Sequence, residues 1–234
     1  MPKNIPILIS FLLLRKLFRW ILKLLLIAVL ITLVWVGSYR WLNPGKTALM
    51  KSRENENGIE LTQTWVDYEA VNFNMPLALI CGEDQRFNDH FGFDLIAIEK
   101  AIDHNLKGGK IKGASTITQQ TAKNVFLWEG RSWLRKGLEV WFTLWIEVLW
   151  SKERILEIYM NVIETGPDGL FGVEAASQHY FKKSANKLSR YQAAQIASIV
   201  PCPTSCGIQS SFAVKHRNFI LKWMRRYGKS VLPQ

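Results

Sequence analysis

The segment C-G-E-D-Q-R-F-N-D-H-F-G-F-D, Cys81 to Asp94, turns the chain abruptly polar between two helical patterns. Before it, Met75 to Cys81 is apolar, and Pro76 suits a first helical turn, where its missing N–H costs nothing. After it, Leu95, Ile98, Ile102 and Leu106 recur at helical spacing over Asp94 to Leu106. Further on, Ser151 can cap Lys152 to Val162, whose Ile155, Leu156, Tyr159 and Val162 form one stripe. Leu138 to Trp150 is apolar nearly all round, which predicts a helix that is central or lies against lipid. Alternating strand patterns are scarce, so the expected fold is mainly α, with the polar block at a helix junction.

Chemistry concentrates in that junction. A carboxylate at the end of an apolar helix, such as Glu83 or Asp84, is partly desolvated, which raises its pKa and suits it to proton transfer near neutral pH. The plainer alternative, that both acids only cap helices, is weakened by Phe87, His90, Gly92 and Asp94 following at tight intervals. His90 by itself reads as a hydrogen-bonded structural histidine.

A second block, G-A-S-T-I-T-Q-Q-T-A-K-N from Gly113 to Asn124, places Ser115, Thr116, Thr118, Gln119 and Gln120 where a helix starts. Capping explains part of it, but adjacent glutamines followed by Lys123 also make a face for sugar hydroxyls or phosphate. A third group is Arg131, Arg135, Lys136 and Glu139. Arg135 and Glu139, four apart, read as a surface ion pair by spacing alone. Glu139 nevertheless opens an almost wholly apolar helix, which makes it a buried partner or part of a site. Separated carboxylates, amides and clustered cations suit glycosyl transfer from a diphosphate donor: one acid deprotonates the attacking hydroxyl and the cations stabilise the leaving diphosphate. A paired-carboxylate glycosidase accounts for the acids and leaves the cations unexplained.

The flanks bound the setting. At 234 residues the chain holds one sizeable domain plus an appendage. Its net charge of +11 predicts an anionic partner, and ten tryptophans with a hydrophobic start favour a membrane over nucleic acid. Trp20 to Tyr39 carries one charge, Lys23, near an end from which it can snorkel. Twenty helical residues rise about 30 Å, the thickness of a bilayer's hydrocarbon. Lys3, Arg15, Lys16 and Arg19 precede the span, which keeps the N-terminus in the cytoplasm and sends the rest across. A cleaved signal peptide is the alternative; the apolar core is long for one, and no clear A-x-A site follows. The expected organisation is a cytoplasmic segment 1–19, a span 20–39, a polar connector 40–60, a domain 61–227 and a tail 228–234. The basic, glycine-rich run from Lys107 to Ser115 predicts a mobile loop and lacks the P-loop order. The three cysteines make no zinc pattern; Cys202 and Cys206 can pair or stay reduced, and Cys81 reads as a small buried residue.

The first block resembles the E-D-x-x-F-x-x-H-x-G-x-D motif of the peptidoglycan glycosyltransferases, and the second their G-G-S-T-I-T-Q-Q-x-x-K-N. R-K-G-L-E from Arg135 matches R-K-x-x-E, and K-E-R-I-L-E-I-Y-M-N from Lys152 matches K-x-x-I-L-E-x-Y-x-N. The likeness covers roughly Leu61 to Met224. It implies a lysozyme-like helical domain that polymerises lipid II into β-1,4-linked glycan and releases undecaprenyl diphosphate. Bifunctional members add a transpeptidase domain, for which a chain ending at Gln234 has no room, so a monofunctional member is expected. By position, the resemblance makes Glu83 the general base. Glu139 becomes a second glutamate assisting at the diphosphate, through neighbouring cations or a divalent ion, magnesium or manganese. Lys123, Arg131, Arg135 and Lys136 would neutralise the diphosphate. Asp84, Phe87, Ser115, Thr118, Gln119, Gln120 and Asn124 would line the substrate cleft, with Glu157 and Asn161 as candidate supports. No cofactor is obligatory. The implied partners are lipid II, the growing strand, membrane lipid and proteins of wall synthesis or division, at the bacterial inner membrane with a periplasmic domain. Ala114 replaces the usual second glycine, and Cys202 stands where Asn is common.

Overall fold

The computed structural model describes residues 5–58, 60–108, 112–167 and 169–233. Lys3, Asp168 and residues 109–111 of the expected loop lie outside them. Between Leu42 and Asn43 the chain divides into two units.

The first unit is one helix, α1, Ile5–Ser38. Its stretch Leu13–Ser38 is long and apolar enough to cross a membrane. Lys23 lies over the Trp20 ring at 5.2 Å, a pairing suited to an interfacial position.

The second unit begins earlier than the sequence reading expects. Its first helix, α2 (Ala48–Asn57), lies within the supposed connector, capped by Thr47 and ended by Gly58 in the left-handed region at φ 59°. Met50 is fully buried. Arg53 pairs with Glu164 at 2.7 Å and Glu129 at 3.1 Å. A polar composition concealed a docked helix, because one methionine and one arginine suffice to anchor it.

Three helices form one packed group. Helix α3 (Asn74–Glu83) buries every residue from Met75 to Cys81. Two further helices, α9 (Arg190–Ile199) and α10 (Ser211–Tyr227), pack on it and on each other. The small residues Ala193, Ala194, Ala197 and Ser198 let α9 approach closely, and α10 buries the i, i+4, i+7, i+11 stripe of Ala213, Arg217, Ile220 and Met224. Cys202 and Cys206, between α9 and α10, form a disulfide, while Cys81 is free and its burial pushes the thiol up to about 12. The expected tail carries a 3-10 turn, Gly228–Val231, held by a bond from Asn88 to the Val231 carbonyl and by Lys229 over Phe73.

In a second group, α5 (Ile117–Phe126) packs against α6 (Trp133–Leu149) and α7 (Lys152–Val162). Helix α6 buries Glu139, Phe142, Thr143, Ile146 and Glu147 and exposes Val140, Leu144 and Val148. Its inner face is therefore partly acidic and its outer face apolar. Helix α4 (Leu95–Leu106) forms as its spacing predicts, yet none of its residues is buried; Leu95 and Leu106 are 73% and 81% exposed. Periodicity marked its apolar face, but Leu95, Ile102 and Leu106 stay exposed and Ile98 is only half-buried. A small sheet, β1 (Thr62–Gln63), β3 (Leu170–Phe171) and β2 (Glu164–Gly166) in that order, and α8 (Val173–Phe181) complete the unit.

Candidate active site

The C-terminus of α3 meets the N-terminus of α5, and the two polar blocks lock together there. Asp84 leaves the helix in an extended conformation. Its Oδ2 accepts the Ile117 N–H at 3.1 Å, satisfying a donor of the first turn of α5, where the helix dipole favours an anion. Its Oδ1 lies 2.9 Å from His90 Nε2. The Thr116 hydroxyl caps α5 and donates to the Gly92 carbonyl at 2.7 Å. Gly92 itself has φ +78°, and a Cβ there would stand 2.6 Å from Thr143 Cγ2, so only glycine fits. Asp94 caps α4 through the Ala97 N–H and accepts from Arg86 at 3.1 Å.

Glu83, the last residue of α3, occupies the wall of a cavity of about 590 Å³ that Asp84, Ser115, Thr116, Gln120 and His216 also line. Its Oε2 accepts from the Gln120 amide at 2.8 Å, while Oε1 is buried with no hydrogen-bond partner among the described residues. The Tyr159 hydroxyl donates to Gln120 Oε1 at 3.0 Å, so the amide presents its NH₂ to the carboxylate. Burial pushes the Tyr159 phenol well above its ordinary value, helped by Glu83 and Asp84, and keeps it a donor. Loss of water raises the Glu83 pKa above the usual carboxylate range. The Gln120 bond, His216 and Lys123 oppose that rise, and Asp84 adds to it.

Further along α5, Lys123 marks a second cavity, of about 340 Å³, shared with Asn124, Trp128, Arg131 and Arg135. Desolvation lowers the Lys123 pKa and Arg135 lowers it further, against the pull of Glu139, Glu129 and Glu83. Glu139, buried on α6, gives Oε2 to Arg135 at 3.0 Å and Oε1 to Lys136. Cations and acids alternate here, so a positively charged pocket coexists with one buried carboxylate that aims its Arg135 and also holds Lys136.

Of the residues singled out by sequence, Glu83, Asp84, Ser115 and Gln120 line the first cavity, and Lys123, Asn124, Arg131 and Arg135 the second. Glu139 and Lys136 stand behind Arg135. Phe87, Thr118 and Gln119 are buried and line neither. Phe87 lies under the Lys152 ammonium at 4.4 Å; Thr118 donates to Glu147 at 2.6 Å; Gln119 closes the capping box with Thr116. Glu157 and Asn161 serve elsewhere, holding the backbone of Tyr68 and Val66. Sequence reasoning passed over Glu147, which is buried and holds Lys152 at 2.9 Å, and over Tyr159 as more than core. It also passed over His216, which sits on α10 with no motif around it.

Asp84, His90 and Asp94 bring potential metal-ligand atoms within 4.8 Å of one another. Both carboxylates already accept hydrogen bonds from His90, Arg86 and backbone N–H groups, which an ion would have to displace. The expected ion position at Glu139 fits less well, because Arg135 and Lys136 take both oxygens.

Residues 51–225 match the family model described as Transglycosylase. The chain is 50% identical over 195 residues to the biosynthetic peptidoglycan transglycosylase of Pseudomonas aeruginosa, covering 81% of this chain and 84% of the relative. It is 46% identical over 222 residues to the protein of that name from Pseudomonas putida, covering 92% and 94%. The corresponding figures for Stutzerimonas stutzeri are 45% over 224 residues, 93% and 92%.

Proposed function

We infer the reaction from one premise: this chain belongs to the transglycosylase family. It is a peptidoglycan glycosyltransferase of cell wall synthesis, and its substrates are lipid II and the growing glycan strand. The observation that carries the assignment of roles is the asymmetry of Glu83. One oxygen is pinned by Gln120; the other is buried, bare and at the cavity wall.

In this reading Glu83 Oε1 takes the proton from the 4-hydroxyl of the acceptor's GlcNAc. The oxygen so freed attacks C1 of the donor MurNAc from the face opposite the diphosphate. The C1–O bond breaks with its electron pair moving onto undecaprenyl diphosphate, and the linkage inverts from α to β. A diphosphate leaving group needs no proton, so one base suffices. Lys123, Arg131 and Arg135 take up the developing charge, with Glu139 positioning Arg135 and Lys136. Ser115, Gln120 and Asp84 line the acceptor side, Asn124 the donor side, and Phe87, Thr118 and Gln119 hold the cleft from behind. Charge neutralisation rests with these cations; Arg135 and Lys136 already occupy both oxygens of Glu139, where magnesium or manganese would have to displace them.

The same reading makes α1 a single-pass anchor in the bacterial inner membrane, its basic start in the cytoplasm and the domain in the periplasm. The deciding experiment supplies purified lipid II to the full chain and to Glu83→Gln. Polymer and diphosphate release by the first, with binding but no polymer from the second, is the expected result. Cleavage of finished sacculi without lipid II consumption would replace synthesis by hydrolysis.

A further inference from the structure

A base that takes a proton at every glycosyl transfer must lose it before the next, and among the described residues nothing is bonded to Glu83 Oε1 to take it. The side chain best placed to help comes from a helix remote in sequence. His216, midway along α10, lines the same cavity as Glu83. Its Nδ1 lies 3.1 Å from the Ser198 carbonyl, which can only accept, so Nδ1 carries the hydrogen. In the neutral ring Nε2 is then the lone-pair nitrogen, and among the described residues it has no hydrogen-bond partner.

The carbon between the two nitrogens, Cε1, stands 3.8 Å from where a Cβ on Gly82 would be, so this edge of the ring faces the residue preceding Glu83. Phe212 and Phe219, with centroids 5.8 and 6.2 Å away, flank the imidazole on the same helix and restrict its rotation. The end of α3 presents Glu83 and Asp84 to this cavity, the following loop presents Arg86 and Asp94, and α4 presents Lys100. From α9, Tyr191 is taken up by Arg217 at 4.6 Å, and Lys229 of the terminal 3-10 turn is taken up by Phe73. His216 thus shares this cavity with Glu83, and a positive charge on its ring favours the Glu83 carboxylate.

We propose that His216 is the proton carrier that empties Glu83 after each glycosyl transfer. The Oε1–H bond of Glu83 breaks, the proton passes through one water in the cleft to His216 Nε2, and carboxylate and imidazolium result. The imidazolium then releases the proton from Nε2 to water in the open cleft, which restores the starting state with no other reactant. This role rests on Glu83 being the base, as read above.

The test uses the full chain in detergent with purified lipid II, comparing wild type, Glu83→Gln, His216→Ala and His216→Asn. Asparagine keeps an N–H for the Ser198 carbonyl and removes the basic nitrogen, which separates packing from proton transfer. We expect both His216 variants to lose kcat by about 10²-fold or more, the lower range for a proton-transfer group, with KM for lipid II unchanged. Added imidazole should restore part of kcat in His216→Ala and none in Glu83→Gln. Full kcat across the pH profile in His216→Asn would overturn the proposal. So would a loss that imidazole does not relieve in His216→Ala while asparagine restores activity, since that is packing alone. An active Glu83→Gln would instead remove the base assignment beneath it, and the two failures are distinguishable.

Discussion

Gln120 holds one oxygen of Glu83 at 2.8 Å and leaves the other bare. The two residues lie on different helices, α3 and α5, and their meeting fixes one carboxylate oxygen at the helix end and leaves the other directed and unbonded. Tyr159, on a third helix, sets which end of the amide faces the acid.

Glu83→Gln should lower polymerisation by about 10²- to 10⁴-fold, the worth of a positioned proton acceptor. The same change should stabilise the fold at neutral pH. Because the folded-state pKa of Glu83 is raised, the native state holds its proton longer than the unfolded chain does. Its contribution to stability is therefore greatest below the unfolded carboxylate value and is lost as pH rises through the folded one. Thermal melts across pH should show the variant gaining on wild type as pH rises. Equal melts at all pH would contradict the burial argument.

Lys123→Met should cut kcat by about 10²- to 10³-fold, comparable to losing one preorganised transition-state contact. The lowered pKa of Lys123 also predicts a falling alkaline limb in the wild-type rate profile, as the ammonium loses its charge. Lys123→Arg should move that limb upward. Rate profiles that superimpose would show that Lys123 does not set it.

Tyr159→Phe removes the hydroxyl that orients Gln120, at a stability cost of about 1 kcal/mol for one hydrogen bond. Free to turn, the amide should present its oxygen to Glu83 part of the time, and kcat should fall several-fold at unchanged lipid II affinity. Denaturant melts and steady-state kinetics separate the two effects.

Gly92→Ala should destabilise by roughly 1–3 kcal/mol from backbone strain, with more from the approach to Thr143. Since Gly92 carries the carbonyl that Thr116 bonds, activity should fall with it. An alanine variant as stable as wild type in urea would mean that the loop relaxes freely.

Arg53→Ala should cost roughly 2 kcal/mol, below the value for a fully buried pair because the Arg53 side chain is 22% exposed. It leaves Glu164, only 7% exposed, without its guanidinium. Proteolysis should then open the chain near α2 before the rest of the domain, and urea melts give the magnitude.

The sequence by itself determined the parts that local chemistry specifies. Helix starts were readable at Thr116 and Ser151 because these residues cap the helices with their own side chains. The long N-terminal helix was readable because its apolar run has the length a bilayer demands. The acids, amides and cations that line the two cavities were readable because they are clustered in short motifs.

Tertiary structure alone decided how those parts meet. Periodicity tells which face of a helix is apolar and not what covers it, so α4 forms as expected and stays uncovered while α6 turns two acids inward. Composition called residues 40–60 a connector, because docking by Met50 and Arg53 depends on partners far along the chain. Which oxygen of Glu83 is bare and that His216 enters the cleft are set by α3, α5 and α10 packing together. Those relationships join residues tens to more than a hundred positions apart, and no local pattern carries them.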